Sequence, residues 1–196
     1  MNSRIRLSVS LLILVSTTGF GQSTLYAEQD LAASEHFIDA FYSFEPERLR
    51  RTLLSAQQSI PAILYYQGWA EGGNYSVVRR KGCSVSGNEI VCPVTVKDDL
   101  MIALGIDFNV TDTFHLIVKE GDIESATTSS NDLDVFRDAQ VWVWRERPAL
   151  VDEACTGYFD GGETPGDCVR AMVGGFREYT QTDEFAAHMS KLEIPK

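Results

Sequence analysis

Cys83 and Cys92 stand at mirror positions around Gly87-Asn88, and that symmetry constrains the fold more than any other feature of the chain. With Gly87 and Asn88 as the central residues of a two-residue turn, Ser86 pairs with Glu89, Val85 with Ile90, Ser84 with Val91 and Cys83 with Cys92. Gly in the first turn position suits type II′, which needs a positive φ there. Pairs alternate between hydrogen-bonded and non-hydrogen-bonded, beginning hydrogen-bonded at Ser86–Glu89. Cys83–Cys92 then falls on a non-hydrogen-bonded pair, whose Cα atoms are close enough for a disulfide. The chain is therefore expected to carry a stapled β-hairpin and to fold where thiols oxidise.

The first residues agree with that compartment. Arg4 and Arg6 precede the apolar run Leu7 to Val15, and small and polar residues follow. This is the pattern of a secretory signal peptide over residues 1–27, cleaved after Ala27, with Gly21 and Ser23 as alternative exits. The apolar run is shorter than the roughly 20 residues of a spanning helix. The expected location is secreted or periplasmic, with no membrane contact after cleavage. Removing residues 1–27 from 196 leaves 169, enough for one domain with its own core. The removed piece holds two Arg and no acid, so the net charge moves from −11 to −13. Such a chain repels phosphate backbones, so no nucleic-acid partner is expected. The basic cluster Arg79-Arg80-Lys81 reads as a solvated strand edge.

Four cysteines allow three pairings. The hairpin selects Cys83–Cys92 and leaves Cys155–Cys168, which closes a segment rich in Gly and Pro. The short ligand spacing of a zinc site is absent, and Asp160, Glu163 and Asp167 do not follow the twelve-residue calcium loop, so no metal and no cofactor is called for.

Ala33, Phe37, Phe41 and Phe44 recur at steps of four, four and three, one apolar face of a helix over 30–44. Pro46 opens a second helix, with Leu49 and Leu53 buried, and a third runs from Ser59-Ile60-Pro61 to the stop at Gly72-Gly73. The period then changes to two. Tyr75–Cys83 and Asn88–Val96 form the hairpin, Phe108–Lys119 a third strand, and Ile123–Thr128 a fourth after the Glu120-Gly121-Asp122 turn. Asn131 or Asp132 caps a helix to about Arg145, Pro148 ends it, and a last helix starts at Thr164-Pro165. Residues 182–196 read as a loosely held tail. Strands follow strands without crossover helices, so the class is α+β with an antiparallel sheet. A single domain is expected over 28–181, with 148–180 as a disulfide-closed C-terminal extension.

The helix text "HFIDAFYSF", the short helix at Pro46 and the strand–turn–strand "VTDTFHLIVKEGDIESA" (Val110–Ala126) resemble the nuclear transport factor 2-like superfamily, which includes SnoaL-like cyclases and ketosteroid isomerases. The resemblance covers about residues 30–130 and rests on topology. It implies N-terminal helices packed in a curved antiparallel sheet, a cone-shaped half-barrel with an apolar pocket at its open end. Fold alone does not choose among the isomerases, cyclases, ligand binders and dimerisation modules of such families.

An isomerase-type site needs a carboxylate base and a donor in an apolar pocket. Asp112 is the catalytic candidate, because the period of two puts it on the face of Phe114, Leu116 and Val118. An Asp there needs a partner or a job; the alternative is a strand-end Asp bonded to a neighbouring Thr. Tyr42, Tyr65, Tyr66 and Trp69 sit on the helices that would line a pocket, either as donors to a ligand or as core aromatics. His115 joins the pocket candidates, but it is three residues from Asp112 and leaves the opposite strand face, where a hydrogen-bonded structural His is the other reading. No GxSxG, HExxH, phosphate-loop or dinucleotide fingerprint is present. The expectation is a binding or interaction domain for a small apolar molecule or a protein partner, with a homodimer through the outer sheet face; the alternative is an isomerase, dehydratase or cyclase with Asp112 as base.

Overall fold

A computed structural model describes residues 19–157 and 165–192 of the chain. Three helices come first: α1 (Gly19–Phe41), α2 (Pro46–Thr52) and α3 (Ile60–Gly72). The strands follow as β1 (Ser76–Arg80), β2 (Ser84–Ser86), β3 (Glu89–Lys97), β4 (Val110–Lys119) and β5 (Asp122–Ser130), with α4 (Asp99–Ala103) between β3 and β4. Four helices end the described chain: α5 (Asp134–Glu146), α6 (Pro148–Val151), α7 (Pro165–Tyr179) and α8 (Asp183–Met189). The protein is α+β, with an open, five-stranded antiparallel sheet in the order β1–β3–β4–β5 and β2 also paired to β3.

The hairpin forms in the register the cysteines dictate: Ser84, Val85 and Ser86 face Val91, Ile90 and Glu89. Cys83 and Cys92 are bonded with their Cα atoms 4.2 Å apart. Gly87 takes φ 64° and Asn88 does not turn positive, as a type II′ turn requires. The run expected over Tyr75–Cys83 is not one strand, however. Strand β1 ends at Arg80 and β2 begins only at Ser84, because Pro93 has no N–H to bond the chain between them. Glu89 and Val91 direct their backbone groups toward β2, so Pro93 faces the same edge and cannot complete a ladder bond there. The chain opposite it leaves the sheet through Gly82, at φ 81°, and the Cys83 N–H is instead taken by Glu35 Oε1 at 2.5 Å.

Residues of β3, and of β4 as far as Ile117, alternate between one buried and one less buried face; the register shifts between Ile117 and Val118, and Val118 is only half-buried. On β4 the buried set is Val110, Asp112, Phe114 and Leu116. Phe114 meets Phe37 and Phe41 of α1 edge-on, with ring centroids 5.7 and 4.7 Å apart, which seats the predicted apolar helix face on the sheet. At the other end α7 crosses α3 so closely that a Cβ at Gly72 would lie 2.3 Å from the Gly166 carbonyl oxygen; only glycine fits. The Cys155–Cys168 disulfide ties the start of α7 to the segment after α6.

Several expectations change. Between β3 and β4, a segment given no element in the sequence reading, Asp98 Oδ1 accepts the Met101 N–H at 2.8 Å and caps α4. The N-cap of α5 is Leu133, with no side-chain cap bond. Asn131 accepts from the Thr111 N–H at 2.6 Å, and Asp132 receives the Ser130 hydroxyl at 2.5 Å, so both expected caps are engaged elsewhere. Within the tail expected over 182–196, Thr182 caps the helix α8 by accepting the Phe185 N–H at 3.1 Å. Helix α1 continues through Ala27, the expected cleavage position. The signal peptide's basic start and apolar core lie outside the described residues, as do Asp160 and Glu163. No described helix is long and apolar enough to cross a membrane.

Candidate functional site

Asp112 is wholly buried, and both its carboxylate oxygens are occupied. Tyr42, one residue past the end of α1, donates its hydroxyl to Oδ2 at 2.9 Å, and Tyr66 of α3 donates to Oδ1 at 2.5 Å. The β4 alternation turns the carboxylate toward the helices, and the packing of Phe41 against Tyr42, Tyr66 and Phe114 fixes both phenols over it. Burial raises the Asp112 pKa to about 6, although both tyrosine hydrogen bonds pull it down; the fields of Asp132 and Asp98 push it further up. Burial, and then the charge of Asp112, pushes both phenols far above their ordinary value. They remain protonated donors at any physiological pH.

Asp98 and Asp132 complete a group of three carboxyls. Asp98 is 1 % exposed, and its Oδ2 has no hydrogen-bond partner among the described residues. Its pKa rises to about 6, chiefly through burial. Asp132 is open to solvent along one side, yet desolvation still raises its carboxyl above the usual range, against the pull of the Ser130 hydroxyl and of Arg137. The three act together on Tyr75, whose phenol is raised first by burial and then by Asp98, Asp112 and Asp132, while a hydrogen bond from Trp69 opposes them. Among the described residues, none of the three carboxylates makes an ion pair.

A cleft of about 290 Å³ opens between α3, the end of β5 and α5. Trp69, Tyr75 and Phe136 are its nearly buried aromatic surfaces, and Tyr65 and Tyr66 contribute two more rings. Thr128, Ser129, Ser130, Asp132 and Gln140 supply its polar groups. Asp112 is not part of the wall: Tyr66 lines the cleft and holds Asp112 behind it. A larger groove of about 990 Å³ lies between α5 and α8, where His188 pairs with Asp138 at 2.7 Å and Arg145 with Glu184 at 2.8 Å.

Of the residues singled out in the sequence, Asp112, Tyr42 and Tyr66 meet in one hydrogen-bonded group, and Trp69 lies in the adjoining cleft. His115 does not join them. It sits on the other sheet face, where Nδ1 is 3.2 Å from Glu89 Oε2 and Nε2 is 3.0 Å from Ser129 Oγ. Its place follows from the strand period that separates it from Asp112. Tyr75, Asp98, Asp132 and Phe136 escaped sequence reasoning as site residues. Asp132 was read only as a helix cap and Tyr75 only as a strand residue; the adjacent acids Asp98-Asp99 before an apolar stretch are the one local signal the sequence offers. Among the described residues, no group of three His, Cys, Asp or Glu is placed to hold a metal ion.

Removing one phenol should expose the strain of the buried carboxylate. In Tyr66→Phe, Asp112 Oδ1 loses its donor, and a hydrogen bond to a charged group is worth about 1.5–3 kcal/mol. We expect denaturant unfolding to report a loss of about 2 kcal/mol at pH 7.5 that shrinks below pH 5, where Asp112 is protonated. An equal loss at both pH values would mean that the bond does not serve the ionised form.

Compared with protein-family models, with curated proteins and with solved structures, the chain matches none.

Proposed function

We propose that this chain is an exported binding protein for a small organic molecule, held in the aromatic cleft between α3, β5 and α5, and that Asp112 organises the cleft without acting as a catalytic base. One observation carries the reading: Asp112 has no open face, and both its oxygens are committed to tyrosine hydroxyls. A general base must come within hydrogen-bond reach of the proton it removes. Here Tyr66 stands between the carboxylate and the cleft, so the group the sequence offered for isomerase chemistry works as a fastener between helices and sheet. The aromatic walls and few polar groups of the cleft are those of a ligand site.

The order of helices and antiparallel strands supports the nuclear transport factor 2-like resemblance and, with it, a cone-shaped half-barrel whose open end is this cleft. Two disulfides support residence in an oxidising compartment, secreted or periplasmic. Exposed Val77 and Val78 on β1 and Val85 on β2 supply an apolar edge for a homodimer.

Native mass spectrometry of the protein purified from its own host tests the binding reading. We expect a retained molecule on the native chain and none on Gln140→Trp, which fills the cleft from α5 without touching Asp112. Asp112→Asn should keep the molecule. Turnover of that molecule by the native chain, abolished in Asp112→Asn, would establish catalysis in place of binding.

A further inference from the structure

We infer that the cleft selects a small organic cation, an amine or quaternary ammonium head, seated against the rings of Trp69, Tyr75 and Tyr66 with Asp132 as its counter-ion. The inference rests on the binding reading above and names the chemistry of its ligand.

Two independent features converge on it. The first is the lining. Five aromatic rings and one carboxylate surround about 290 Å³, and no Lys, Arg or His is among the lining residues. Aromatic faces carry negative charge density and attract a cation within about 6 Å of the ring centre, an interaction that strengthens as the cation leaves water. The second is the charge behind the lining. Asp98 and Asp112 are buried, Asp132 stands in the cleft wall, and each of the three raises the phenol of Tyr75 from a different element. Carboxylates held away from water are ordinarily paired. Among the described residues neither buried Asp98 nor buried Asp112 makes an ion pair, Asp98 Oδ2 has no hydrogen-bond partner, and the more open Asp132 makes no ion pair with Arg137, whose charge acts on it.

An anionic ligand would meet this field as repulsion. A neutral apolar one would use the rings and leave the field unanswered. A cation uses both. The volume is at the lower end of ligand sites, which suits a compact head group rather than a polycyclic molecule.

The test compares choline with its uncharged carbon isostere, 3,3-dimethyl-1-butanol, in NMR titrations of the full chain with both disulfides formed. The indole N–H of Trp69, assigned by its loss in Trp69→Phe, is the reporter. We expect choline to move that resonance and to bind at least tenfold tighter than the isostere. Asp132→Asn, at a solvent-open position, should erase most of that preference. Equal or tighter binding of the isostere would overturn the cation inference and leave the binding reading standing. Binding of neither probe would also overturn it, and the mass spectrometry experiment would then decide the binding reading separately. Preference for choline unchanged in Asp132→Asn would remove the assigned counter-ion.

Discussion

Acidification from pH 7.5 to about 4.5 is expected to stabilise this protein, against the usual direction for carboxylate-rich chains. Asp98 and Asp112 each have a pKa of about 6 in the folded chain against an ordinary 3.8. The folded state therefore holds these protons more tightly than the unfolded one. The contribution to stability is complete below 3.8 and is lost as pH rises through about 6. A carboxyl moved over that interval is worth about 3 kcal/mol. Because the two groups lie in each other's field, their joint effect should be less than twice that. Urea unfolding across pH 4–8 would measure it, and Asp112→Asn should flatten the profile by about half. The amide keeps the shape of the carboxyl and can still accept one tyrosine hydroxyl, so this variant should also be the more stable chain at pH 8. A stability maximum at pH 7 or above in the native chain would mean that both carboxyls ionise at ordinary pH, and the reading of Asp112 as a buried, tyrosine-clamped group would fail.

Loss of the Cys155–Cys168 disulfide should be the most damaging change outside that cluster. The two cysteines are 13 residues apart, and loop-closure entropy for a ring of that size amounts to about 3 kcal/mol. Both sulfurs are buried, and the bond holds the N-terminus of α7 where α7 crosses α3 at Gly72 and Gly166. In Cys155→Ser with Cys168→Ser, two buried hydroxyls replace the bond. We expect a drop in Tm of roughly 10 °C for a domain of this size. The Cys83→Ser, Cys92→Ser pair should lose less, since its ring is smaller and the Gly87-Asn88 turn already brings the strands together. Differential scanning calorimetry of both double variants gives the comparison, and a larger loss in the hairpin variant would reverse the ranking.

Much of the sheet was legible in the sequence because its information is local. A two-residue turn, a period of two and a pair of equidistant cysteines determine the β2–β3 register within ten residues of chain, and the register follows them pair by pair. The same period placed Asp112 on the buried face and His115 on the other. The break opposite Pro93 was half legible: the missing N–H was visible, but which edge it faced, and that the partner strand would split there, needed the pairing on both sides of β3. Helix α8 was missed because, among the described residues of the segment, Phe185, Met189 and Leu192 are the large apolar side chains packed on the core, and its cap at Thr182 is a weak signal without the α5 surface beneath it.

An oxidised hairpin, the α+β order of elements and a carboxylate on an apolar strand face could all be read along the chain, since each follows from neighbours a few bonds or one turn away. That Tyr42 and Tyr66 close over that carboxylate, from 70 and 46 residues away, with Asp98, Asp132 and Tyr75 near enough to act on one another, came from the packing in three dimensions. Hydrogen bonds and electrostatic fields act through space, and no periodicity along a chain records which distant side chains the packing of helices on a sheet will bring within reach.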